Sequence, residues 1–113
     1  MLHRDKIILQ KVISELTIGI ELLGTKSQEE FLKEEILKRA LGMTTINVGE
    51  LVKNLTPEFR KEHFNIPWKA IAGMRDITAH KYQTLRMEDV YNTIHDEFPA
   101  LKKQLMGVLN EED

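Results

Sequence analysis

The stretch "SQEEFLKEEILKRALGMTTINVGELVKNLTP", residues 27–57, decides the fold class. Ser27 followed by Glu30 is a capping-box pattern, so a helix opens at about residue 28. Its core-facing stripe runs Leu37, Leu41, Thr44, Val48, Leu51 and Leu55, in steps of four and three. No breaker interrupts it before Thr56–Pro57, which predicts a helix of about 28 residues. Gly42 and Gly49 lie seven apart beside that stripe. Each costs about 1 kcal/mol in a helix interior, so the spacing predicts that another backbone, in this chain or in a second subunit, comes close there.

The segments on either side are also helical. Leu9, Ile13, Leu16, Ile20 and Leu23 form a stripe widened by Ile8 and Val12, and Gly24 ends it. After the central stretch, Thr56 caps a short helix led by Pro57, "TPEFRKEH". Asn65-Ile66-Pro67 restarts the chain in the same way, and small residues at Ala70, Ala72 and Gly73 permit tight packing. The last stripe is Met87, Tyr91, Ile94, Phe98, Leu101, Leu105 and Val108. Its phase continues through Pro99, which predicts a single helix kinked at the proline. No segment has the period-two alternation of a strand. The expectation is an all-α bundle of about five helices, one domain over residues 1–113. The long, narrow stripes point to pairing with a second copy.

Bulk properties exclude several classes of function. The 113 residues contain no cysteine, which removes disulfide frameworks, zinc ribbons and thiol catalysis. The start, "MLHRDKIILQKVISEL", reads as neither a signal nor a transit peptide, and no apolar run is long enough to span a bilayer. The expected location is cytoplasmic, with no membrane association. None of the four histidines forms H-x-x-x-H, H-E-x-x-H or the E-x-x-H of di-iron bundles, so no metal site is expected. Glycine-rich phosphate loops are missing, and Ser14 and Ser27 are the only serines.

Charge is uneven. Between Trp68 and Met87, Lys69, Arg75, Lys81 and Arg86 face the single anion Asp76, a local charge of +3 in a chain of −2 overall. The rest therefore carries −5. A basic segment on an acidic body suits a protein that grips an anion at one place, although uneven surface charge without purpose fits as well.

The same segment, "IPWKAIAGMRDITAHKYQTL" (residues 66–85), holds Arg75, Asp76, His80 and Tyr82 within eight residues. Arg75 and Tyr82, seven apart, share a helix face, and Asp76 and His80, four apart, can meet. Arg75 and His80 would point about 140° apart on a straight helix. The helix must therefore end or distort near Thr78–His80, or two copies must supply the residues jointly.

These side chains suit RNA cleavage. An arginine can hold a phosphate and neutralise charge on a pentavalent intermediate. A histidine can take the proton of a 2′-hydroxyl or give one to the leaving oxygen. Asp76 could fix the imidazole's tautomer. By spacing alone, a solvated helix end with no chemistry stays open beside this reading.

Beyond spacing, Arg75-x4-His80-x-Tyr82 resembles the signature of HepT-type toxins in the HEPN superfamily. The approach "IPWKAIAGMRD" is similar to that family, as are "SQEEFL", "INVGELVKNLTPEFR" and "YNTIHDEFPALKKQL", in the right order. The resemblance implies a HEPN-like helical bundle that is homodimeric, its cleft formed where two motif segments face each other. It implies a metal-independent endoribonuclease without cofactor, the toxin of a type VII-like toxin–antitoxin pair acting on tRNA or mRNA. Arg75 and His80 match the catalytic pair. Tyr82 matches the tyrosine that a cognate MNT-type nucleotidyltransferase antitoxin modifies with AMP. Asp76 stands where close relatives commonly have asparagine, and its expected role is supporting. Lys69, Lys81 and Arg86 are candidate RNA contacts. The alternative is a non-catalytic HEPN-like module that binds a nucleotidyltransferase partner or RNA; a third reading is an inert assembly scaffold.

Overall fold

The computed structural model describes residues 1–79 and 86–111, with the backbone alone for residues 75–79. The first helix, α1, spans His3–Leu23 and stops at Gly24, whose φ of 56° suits a residue without a Cβ. Its N–H closes the turn by donating to the Ile20 carbonyl at 2.9 Å.

The capping box forms as the residue pattern predicts. Ser27 Oγ accepts from the Glu30 N–H at 3.1 Å, and Glu30 Oε1 accepts from the Ser27 N–H at 2.9 Å. That Ser27 backbone donor holds the Glu30 carboxyl below its ordinary pKa.

The helix so opened is not one of 28 residues. It is α2, Gln28–Leu32, and a separate α3, Glu35–Lys53, with Glu34 between them at φ −105° and ψ 95°. The cause is tertiary. On a continuous helix, Phe31 would face about 80° away from Leu41. The break lets both be fully buried, with Phe31 against Tyr91 at a ring separation of 5.7 Å. Tyr91 also donates its hydroxyl to the Lys26 carbonyl at 2.9 Å, and Lys26 pairs with Glu34 at 3.1 Å. Specific packing overrides good helix propensity here.

A short α4, Pro57–Glu62, follows; Thr56 caps it by accepting the Phe59 N–H at 3.2 Å. Next comes α5, Trp68–Ala79. The final segment is helical throughout as α6 (Met87–Asn92), a π-helical turn (Thr93–Glu97) and α7 (Phe98–Glu111). The widened turn lies directly before Pro99, where the missing N–H breaks the ordinary ladder, so a local bulge accommodates the proline. Counting α6 to α7 as one rod, six helical segments are described, and no strand occurs among the described residues. The fold is an all-α helical bundle, consistent with the bundle that the resemblance implies.

Within it, α3 packs against both α1 and α5, while α7 lies on α1 and α2 meets α6. Leu9, Val12 and Leu16 from α1, Leu41 and Val48 from α3, and Phe98 and Leu105 from α7 have no exposed surface. The buried α3 threonines satisfy their hydroxyls on the preceding turn, Thr44 to the Ala40 carbonyl at 3.1 Å and Thr45 to the Leu41 carbonyl at 2.9 Å. Gly42 and Gly49 are buried, with α1 and α5 flanking their helix. A third helical glycine, Gly19, is held by sterics: a Cβ there would stand 2.9 Å from Phe98 Cε2 and 3.3 Å from Thr44 Cγ2.

Candidate functional site

The Arg75 and Asp76 backbones lie in α5, which is described through Ala79. Their side chains, and all of His80, Lys81 and Tyr82, are outside the described residues. The backbone is still helical at Thr78 and Ala79, so of the expected departure from a straight helix near Thr78–His80 only the part at His80 lies outside them. What the structure does describe is how the start of the motif helix is held and what surface leads up to it.

The hold begins with Asp5 on α1. Only 1% exposed, it accepts the Thr56 N–H at 2.8 Å on Oδ1 and the Thr56 hydroxyl at 2.7 Å on Oδ2. The same hydroxyl caps α4. Next along, the Phe59 ring lies 4.7 Å from His63 and 5.8 Å from Trp68, centroid to centroid. Trp68 Nε1 donates to the His63 carbonyl at 2.9 Å, which fixes the first residue of α5. Ile71 then buries itself one turn along. α5 packs along α3, and its first residue is tied besides, through α4, to α1 by hydrogen bonds and aromatic packing.

Beside this support runs an open groove of about 960 Å³, between α4, the turn after it and the first half of α5. Lys53, Arg60, Lys61 and Lys69 line it, together with Phe64, Ile66, Trp68, two prolines, Ala72 and Gly73. Among the described residues, none that line it is acidic. The groove reaches Gly73, two positions before Arg75. Among the described residues, nothing lies within 4 Å of where a Gly73 side chain would begin. The small residues at Ala72 and Gly73, expected to permit tight packing, thus also border the groove.

Of the candidate RNA contacts, Lys69 is exposed on the groove wall. Arg86 precedes α6, exposed, with its Nε 4.0 Å from Asp89 Oδ2. The groove's other cations were not singled out by sequence reasoning. The signal was present in "FRKEHF" (residues 59–64), but Glu58 and Glu62 dilute its charge, and only the fold shows that neither lines the groove. Among the described residues, no three His, Asp or Glu side chains gather as a metal site requires, and no helix is long and apolar enough to cross a membrane.

Comparison with known proteins adds a second line of observation. The family described as "Ribonuclease HepT-like" matches residues 11–108. A "Putative RNase" of Caldanaerobacter subterraneus subsp. tengcongensis is 39% identical over 104 residues, covering 92% of this chain and 93% of that protein. A "Putative RNase" of Methanocaldococcus jannaschii is 30% identical over 112 residues, 98% of this chain and 97% of that one. "Probable ribonuclease HepT" of Thermococcus cleftensis is 31% identical over 100 residues, covering 88% and 89%. No solved structure matches the chain.

Proposed function

The chain belongs to the HepT-like ribonuclease family, and from that premise we propose that it is a metal-independent endoribonuclease, the toxin of a type VII-like toxin–antitoxin pair that cleaves tRNA or mRNA. The observation that carries this reading is Arg75-x4-His80-x-Tyr82 inside a chain matched to that family over residues 11–108.

The chemistry follows from the side chains. His80 takes the proton of a ribose 2′-hydroxyl, and the 2′-oxygen attacks the adjacent phosphorus. Arg75 holds the non-bridging oxygens and offsets the charge that builds on them. The bond to the 5′-oxygen breaks, that oxygen takes up a proton, and a 2′,3′-cyclic phosphate remains. Asp76 supports His80. On a straight helix Arg75 and His80 diverge, so two copies of the chain complete the cleft, and the working form is a homodimer. A cognate nucleotidyltransferase silences it by placing AMP on Tyr82, where bulk and negative charge exclude an RNA phosphate.

The test is incubation of wild type, Arg75→Ala and His80→Ala with total tRNA and with a model mRNA. Loss of a general base costs about 10²–10⁴ in rate, and loss of a charge-stabilising donor about 10²–10³, so both variants should be silent where wild type cuts. Wild type that binds RNA without cutting it, from protein whose mass excludes AMP on Tyr82, would favour a non-catalytic binding module.

A further inference from the structure

We propose that the groove between α4 and α5 is the track for a single-stranded segment of RNA flanking the cleaved phosphate. Lys53, Arg60, Lys61 and Lys69 bind its backbone, and Phe64 stacks on one of its bases. This rests on the RNA-cleavage reading and names where the substrate lies beyond the reacting phosphate.

Charge is the first argument. Among the described residues, four cations line the groove and no acid does. Among the described residues none of the four stands in an ion pair, whereas Lys26, Lys33, Lys38 and Arg39 each pair with a glutamate at 3.1–3.3 Å. Unpaired like charges along one groove repel each other, and a polyanion relieves that cost.

Arg60 gives the second. Its side chain lines the groove while its Nε is buried without a hydrogen-bond partner. Buried donors are nearly always satisfied, and a guanidinium that turns onto a phosphate gains acceptors in a bidentate geometry.

Phe64 is the third. At 83% exposure it is an aromatic ring left in water on the wall of a basic groove. An aromatic beside lysines is the arrangement that holds unpaired bases, since stacking is open to any base and cations follow the backbone. A duplex would present no free base to it. A protein partner fits less well, because lysine is depleted at protein interfaces.

Position joins these. Trp68, pinned to the His63 carbonyl, makes a fixed wall. The groove runs to Gly73, and Arg75 follows two residues later. A strand in the groove therefore runs beside the helix whose backbone carries Arg75.

The experiment is fluorescence anisotropy with a labelled single-stranded RNA of mixed sequence, about twelve nucleotides long, within the usual range of site sizes. The protein is the full chain carrying His80→Ala, so that binding is read apart from cleavage. Lys61→Glu with Lys69→Glu should weaken binding at least tenfold at low salt and flatten its salt dependence. Phe64→Ala should weaken it about tenfold, and should weaken binding of the matching duplex much less. All three side chains are exposed, so the fold is expected to persist; circular dichroism checks this. Lys103→Glu, an exposed cation of α7 outside the groove, controls for overall charge and should have little effect. The proposal is overturned if the parent protein does not bind the RNA. It is equally overturned if the groove variants bind as the parent does, or if Lys103→Glu costs as much as they do. Cleavage by wild type with unchanged binding in the groove variants would sink the groove alone, and tight groove-dependent binding without wild-type cleavage would sink the ribonuclease reading alone.

Discussion

Asp5 and Thr56, 51 positions apart, join the first turn of α1 to the start of α4 through two hydrogen bonds of 2.8 and 2.7 Å on one buried carboxylate. The pair places α4, α4 places the Phe59–His63–Trp68 cluster, and that cluster fixes the beginning of the helix carrying Arg75. Asp5→Ala leaves the Thr56 N–H and hydroxyl without their acceptor. An unsatisfied buried group costs about 1–3 kcal/mol. Denaturant unfolding should show a loss of that size, and an unchanged midpoint would remove Asp5 from the support of the site.

Two glycines should respond to alanine with opposite signs. At Gly19 a methyl group would stand 2.9 Å from the Phe98 ring, so Gly19→Ala should destabilise by about 1–3 kcal/mol through overpacking. At Gly107, on the exposed face of α7, nothing among the described residues lies within 4 Å, so Gly107→Ala should stabilise by about 0.5–1 kcal/mol. Thermal melts of both variants check the pair. Equal effects would show that packing around Gly19 relaxes freely.

Those two positions also mark what the sequence makes legible. Stripes of apolar residues predict the faces of α1, α3 and α6–α7, because burial follows the 3.6-residue period: Leu9, Leu16, Leu41, Val48, Phe98 and Leu105 are all in the core. The cap at Ser27 and the stop at Gly24 are legible for local reasons of hydrogen bonding and backbone conformation. The break at Lys33–Glu34 is not, since it answers to Phe31 meeting Tyr91 from 60 positions away. Asp5 escapes for the same reason. A carboxylate in a first helical turn reads as an exposed favourable charge, and only the arrival of Thr56 makes it a buried acceptor. At the site, local spacing picks out the motif residues, whereas the basic groove combines α4, a turn and α5 and exists only in three dimensions.

Tyr82 should separate cleavage from its control. Tyr82→Phe keeps the ring and removes the hydroxyl that would carry AMP. The variant should cut RNA at a rate close to wild type and stay active when mixed with the proposed nucleotidyltransferase partner and ATP. Mass spectrometry would follow AMP on wild type alone. AMP on the phenylalanine variant, or silencing without AMP, would move the modification elsewhere.

Asp76, four residues before His80, has its own signature. Asp76→Asn removes the carboxylate proposed to fix the tautomer of His80, so cleavage of RNA should slow. A rate equal to that of wild type would leave Asp76 without the supporting role proposed for it.

The central claim is that Arg75 and His80 cut RNA by attack of its own 2′-hydroxyl, without a metal ion. The most direct test is to incubate wild-type protein with tRNA in excess EDTA and determine both new ends at each cut. The account predicts 2′,3′-cyclic phosphate facing 5′-hydroxyl, with no cuts by His80→Ala. Cleavage that stops in EDTA and otherwise leaves 3′-hydroxyl and 5′-phosphate ends, or that His80→Ala performs as well as wild type, would contradict it.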